Sequence, residues 1–145
     1  MKISTRGRYA LDFMIDLAQH NSGDYIALKD VSARQQISVK YLEQITSLLS
    51  KFGLLLSVRG PQGGYKLAKA AEQYTIGEIL RITEGDMAPV ACLSGTDNAC
   101  DKKLSCPTLK LWTGLDKVVN EYLDSVTLQD LVNELNAVIG YDYSI

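Results

Sequence analysis

Gln36-Ile37-Ser38-Val39-Lys40-Tyr41-Leu42-Glu43-Gln44 is followed, after Phe52-Gly53, by Leu54-Leu55-Leu56-Ser57-Val58, Arg59-Gly60-Pro61-Gln62-Gly63-Gly64 and Tyr65-Lys66-Leu67. Gln36-Ile37-Ser38 reads as a tight break, and Ser38 is a good N-cap for a helix beginning at Val39. Tyr41, Leu42, Ile45, Leu48 and Leu49 then recur on one helical face. Lys40, Glu43, Gln44 and Ser47 occupy the other, and Gly53 closes the helix. Two short apolar runs around a glycine-rich loop predict a hairpin.

On the N-terminal side, Ala27–Arg34 reads as a short helix behind the turn Asn21-Ser22-Gly23-Asp24. Ala10, Leu11, Met14, Ile15, Leu17 and Ala18 predict an amphipathic helix over residues 5–20. Helix, helix, turn, helix, hairpin is the order of a winged helix-turn-helix. On the C-terminal side, Thr75 caps a fourth helix that Glu84-Gly85-Asp86 ends. Pro107 opens a long helix striped with Leu109, Trp112, Leu115, Val119, Tyr122, Leu123 and Val126. Thr127 opens a final short helix through Leu128, Leu131, Val132 and Leu135.

The expected fold is mainly α with a small β-hairpin. A winged helix-turn-helix domain spans 1–85, a cysteine-bearing loop 86–106, a dimerisation helix and final short helix 107–139, and a tail 140–145. The apolar stripe of the long helix predicts burial against a twin or back on its own domain.

The chain has 145 residues, 46% hydrophobic and 22% charged, which suits one globular domain with a modest appendage. No apolar run approaches the roughly 20 residues of a membrane span, and Met1–Arg6 opens no apolar signal core, so a soluble cytoplasmic protein is expected. The net charge of −2 hides a division: residues 1–69 carry ten Lys/Arg against five Asp/Glu, residues 70–145 five against twelve. A basic front half predicts a polyanion partner.

Ser38, Lys40, Tyr41, Glu43 and Gln44 lie near the start of the third helix. Glutamine can pair bidentately with adenine, lysine can meet guanine or phosphate, and glutamate can accept from cytosine. Arg59, at the base of a thin loop, suits a narrow minor groove. The plain alternatives are a solvated helix face and a tight turn with one exposed arginine. Helix order, hairpin and charge together predict double-stranded DNA as partner.

Cys92, Cys100 and Cys106 fall within fifteen residues of one irregular loop. Clustered thiolates suit a soft metal or an iron–sulfur cluster; chance clustering, zinc and redox thiols are the alternatives. His20, the single histidine, is remote in sequence and reads as a surface or cap residue; a fourth ligand is then a carboxylate, with Asp12 and Asp101 as candidates, a backbone group, a small thiol or a partner subunit. The chain has no catalytic triad pattern, no phosphate loop and no HExxH motif, so no enzyme is expected.

Ser4-Thr5-Arg6-Gly7-Arg8-Tyr9-Ala10-Leu11, Ile37 to Gln44, Val58 to Tyr65 and the cysteine triplet resemble the Rrf-type winged-helix regulators, and within them the IscR-like iron–sulfur branch. The likeness covers residues 1 to about 135. It implies a homodimer on near-palindromic operator DNA, one cluster per subunit, most often [2Fe-2S], and control of cluster-assembly genes. It implies Cys92, Cys100 and Cys106 as ligands, Ser38, Lys40, Tyr41, Glu43 and Gln44 in the major groove, and Arg59 in the minor groove. The chain departs from the pattern in two ways: seven residues separate the first two cysteines where the best-known members have five, and Leu109 stands at the histidine-ligand position. Relatives with a [4Fe-4S] cluster take a carboxylate from the partner's first helix, a position held here by Arg8. Competing expectations are a cluster-free regulator sensing thiols or a partner enzyme and, further off, an iron–sulfur electron carrier.

Overall fold

The computed structural model describes residues 2–94 and 104–143. Helices α1 (Thr5–Gln19), α2 (Leu28–Gln35) and α3 (Val39–Lys51) precede strands β1 (Leu55–Val58) and β2 (Gly64–Leu67). A 3-10 turn at Ala71–Gln73 leads into α4 (Ile76–Glu84), and α5 (Leu109–Ser125) and α6 (Leu128–Tyr143) complete the described chain. The fold is therefore mainly helical with one small antiparallel hairpin, as the sequence predicts.

Local signals start the helices. The hydroxyls of Ser4, Ser38 and Thr75 accept the backbone N–H groups of Gly7, Tyr41 and Glu78 at 3.1, 3.2 and 3.0 Å. Thr127 and Asp130 cap each other reciprocally at the start of α6, at 3.1 and 2.9 Å. Between α2 and α3 the turn passes through Gln36 in the left-handed region (φ 56°), which costs a non-glycine residue about 1 kcal/mol. Ser32 Oγ supports that turn by donating to Ile37 O at 2.6 Å.

The main core joins Phe13, Met14 and Leu17 of α1, Val31 of α2, Leu42, Ile45 and Leu49 of α3, and Ile79 of α4. Phe13, fully buried, lies on the inward face beside Ala10 and Met14, whereas Leu11, Ile15 and Ala18 only pack partly against that core. Strand pairing runs from Leu55↔Leu67 to Val58↔Gly64. A third strand position, not apparent in the sequence, comes from Ile26, which exchanges two 2.8 Å backbone bonds with Tyr65.

Tyr74 holds the hairpin's base. Its fully buried hydroxyl donates to Leu54 O at 2.6 Å and accepts from the N–H groups of Ala68 and Lys69 at 2.9 and 3.3 Å. Its backbone oxygen accepts from Leu128 N at 3.0 Å, and Ile76 N donates to Val126 O at 2.9 Å. The α5–α6 junction is thus clamped to the start of α4. Leu128 joins the main core, so the final helix packs on the first domain, against α1 and the 71–73 turn. It is also longer than the sequence predicts: α6 runs to Tyr143, through part of the expected tail.

The apolar stripe of α5 divides. Leu123 and Val126 turn inward on a second small core of Ile76, Leu80 and Met87. Leu111, Val118 and Tyr122 stand outward, 60%, 62% and 66% exposed, with Leu115 beside them. Leu111 and Val118 lie outside the stripe that the sequence predicts, and Trp112 is half-buried.

Candidate nucleic-acid interface and cysteine segment

Helix α3 buries Leu42, Ile45, Thr46 and Leu49, which turns Ser38, Val39, Lys40, Glu43, Gln44 and Ser47 to solvent. The side chains of Lys40, Glu43 and Gln44 make no hydrogen bond or ion pair to other described residues. Their donors and acceptors remain available to a ligand. Ser38 is already used as a cap, although its O–H can still donate. Tyr41 stands apart from this set. It is half-buried, with its ring edge-to-face on Tyr9 at 5.4 Å and 78°, because its place on the helix lies beside the inward row.

Arg59 leaves β1 exposed at the head of a tight loop. Gly63 N donates to Gly60 O at 2.9 Å across that loop, and Gly60 takes φ 115°, open to glycine at little cost. Arg59 follows α3 in the chain through β1. Replacing Arg59 by alanine is expected to weaken operator binding by roughly tenfold and lower the salt slope by about 1. A gel shift at several salt concentrations checks this, and an unchanged slope removes Arg59 from the DNA.

The pose of α2 beneath α3 is set by a buried charge. Asp16 of α1 is fully buried and accepts Arg34 through Nε at 3.0 Å and Nη2 at 2.7 Å, together with Gln35 Nε2 at 3.0 Å. The one signal for Asp16 in residue order is a carboxylate on the apolar side of an amphipathic helix. His20 is engaged at the same helix end, its Nδ1 2.9 Å from Asp16 O.

Cys92 lies in a 3-10 turn at Ala91–Leu93, and Cys106 stands just before α5, its Sγ 3.6 Å from Thr108 Oγ1. Both are half-buried thiols. Cys100 and Asp101 lie outside the described residues. Among the described residues no three His, Cys, Asp or Glu side chains converge as a metal site. Asp12 is exposed on α1, Leu109 is the first residue of α5, and Arg8 is exposed.

This segment adjoins the contact between α4 and α5. Arg81 reaches Asp124 bidentately at 2.8 and 2.9 Å and Asn120 Oδ1 at 3.3 and 2.9 Å. Gly77 makes room for the bridge, since a Cβ there would strike Asp124 Oδ1 and crowd the Arg81 guanidinium. Beside it a cleft of about 210 Å³ lies between Arg81, Asp86, Met87, Leu93, Asp116 and Asn120. Hydrogen bonding to Arg81 holds the Asp124 carboxyl below its ordinary 3.8. The folded value is the lower one, so the bridge contributes in full above pH 3.8 and is lost as pH falls through the folded value. Fluorescence of Trp112, the single tryptophan, is expected to report loosening of α5 in acid. Asp124→Asn should remove that acid step; identical profiles would rule the bridge out as its cause.

The Rrf2 family profile, described as an iron-dependent transcriptional regulator, matches residues 3–134. The chain belongs to the Rrf2 family. The chain is 37% identical over 142 residues to the HTH-type transcriptional regulator IscR of Erwinia tasmaniensis, covering 98% of this chain and 85% of that protein. Among solved structures it resembles CymR (YrzC), the global cysteine regulator of B. subtilis (TM-score 0.74, 38% identity, 92% of this chain and 98% of that one). It also resembles T. potens IscR (TM-score 0.71, 36% identity, 93% and 88%). As an Rrf2 protein the chain is a winged-helix transcriptional regulator that binds DNA, and not an enzyme. No helix among the described residues is long and apolar enough to cross a membrane.

Proposed function

We propose that this Rrf2 regulator works in the cytoplasm as a homodimer, setting two copies of α3 into major-groove half-sites of a near-palindromic operator. Ser38, Lys40, Glu43 and Gln44 read bases and phosphates there, with the hydroxyl of Tyr41 at the edge of the footprint and Arg59 in the minor groove. Half-sites about one helical turn apart, roughly 34 Å, match two heads joined through α5. Cys92, Cys100 and Cys106 hold an iron–sulfur cluster, [2Fe-2S], one per subunit, and its presence biases operator choice. The targets are then genes of cluster assembly.

The observation that supports the cluster best is where the described thiols stand. Both half-buried, Cys92 lies within the segment linking α4 to α5, in its 3-10 turn, and Cys106 lies close to the start of α5. Their chemistry fits: thiolates suit iron, and metal bonds would tie down a stretch with little core of its own. Bound there, the cluster would supply an oxygen- and redox-sensitive tie between the reading domain and the long helix. The chain's own residues carry that tie onward. Met87 is anchored among Ile76 and Leu80, and Arg81 grips Asp124. Leu109 cannot ligate, so the fourth ligand comes from elsewhere: Asp12, Asp101, a small thiol or the partner.

A cluster-free regulator sensing thiol state or a partner enzyme is the second reading. Leu109 at the family's histidine position and the likeness to a cysteine regulator favour it. Anaerobic purification with iron and acid-labile sulfide counting separates the two. The cluster reading expects visible absorption, iron and sulfide in equal amounts, and gel shifts that change on cluster loss. Single Cys92, Cys100 or Cys106→Ala variants should lose iron. Colourless protein that still binds operator supports the second reading.

A further inference from the structure

We propose that Val39 reads sequence directly, packing its side chain on the 5-methyl group of a thymine in each operator half-site. This rests on the operator-binding reading and adds an apolar contact to it. Val39 is the first residue of α3 and 38% exposed, the one large apolar side chain exposed on that helix. At 100° per residue it stands in one row with Glu43 and Ser47, next to the row of Lys40 and Gln44. Val39 stands at the rim of the inward row of Leu42, Ile45, Thr46 and Leu49, roughly 20° around the helix from Thr46, yet it does not join the residues packed on the main core.

Packing at the rim of the inward row accounts for only part of a valine that is 38% exposed. Val39 caps nothing and fills no core position, and a β-branched residue is a poorer helix former than the lysine or glutamine beside it. The first turn of a recognition helix is the part that meets base edges. Every exposed neighbour there can donate or accept a hydrogen bond; valine can do neither. In the major groove the apolar group that answers it is the 5-methyl of thymine, which cytosine lacks and which marks the orientation of an A·T pair. Lys40, Glu43 and Gln44 would fix the register, and Val39 would add discrimination at one position.

The test is a cycle between protein and DNA. Operators are selected from a random duplex pool with the wild-type chain. Each thymine is then replaced singly by deoxyuridine, which removes the methyl group alone. One thymine per half-site is expected to lose about fourfold in affinity with the wild type, the effect of burying one methyl-sized group. Val39→Ala, at an exposed site and with unchanged thermal stability, is expected to bind the thymine and uracil duplexes equally. Val39→Thr keeps one γ-methyl and should retain part of the discrimination. Absence of any such thymine, or the same loss in Val39→Ala, overturns the assignment. Failure to select any duplex would overturn the operator reading instead.

Discussion

Arg34→Ala is expected to cost about 3 kcal/mol of stability, the effect of removing one partner from a buried ion pair. Asp16 is fully buried and loses two of its hydrogen bonds, keeping Gln35. A carboxylate that cannot reach water then has its charge under-compensated. The reverse change is milder. The Arg34 side chain is 35% exposed, so after Asp16→Asn the guanidinium can turn to solvent. The asymmetry is the informative result: thermal melting should show Arg34→Ala losing roughly 10 °C and Asp16→Asn clearly less. Equal losses would mean the pair acts by packing and not by charge. Because the bridge ties α1 to α2, Arg34→Ala is also expected to weaken operator binding at temperatures where it is still folded.

Val118→Glu is expected to separate the proposed dimer and to cut operator affinity by about a hundredfold or more, since one head then binds without the effective concentration of the second. Val118 is 62% exposed in the single chain, in line with Leu111, Leu115 and Tyr122. Substitution at such a position changes the stability of one chain by roughly 0.5 kcal/mol or less. Melting that stays near wild type, together with monomeric sedimentation, assigns the loss to association. A dimer that persists with the glutamate in place removes this face of α5 from the interface. Leu123→Glu is the contrast, because Leu123 packs on Ile76, Leu80 and Met87 and its loss should unfold the α4–α5 contact instead.

Residue order by itself determined the helix order, the caps at Ser38 and Thr75, the hairpin and the solvent face of α3. These rest on local chemistry: a hydroxyl before a periodic run, glycines where the chain must reverse, an apolar face every three or four residues. The basic front half and the clustered cysteines were legible for the same reason, being facts of composition. Tertiary structure decided which side each apolar stripe serves. Periodicity says that Leu115, Tyr122 and Leu123 share a broad apolar surface; only packing against α4 shows that Leu123 goes inward while Leu111 and Val118 stay out. It also decided that Asp16 is a buried anchor, that Tyr41 leans on Tyr9, that Ile26 adds a strand position and that α6 continues to Tyr143. Each of these depends on a neighbour far away in the chain, and spacing along one segment carries no information about what will be pressed against it.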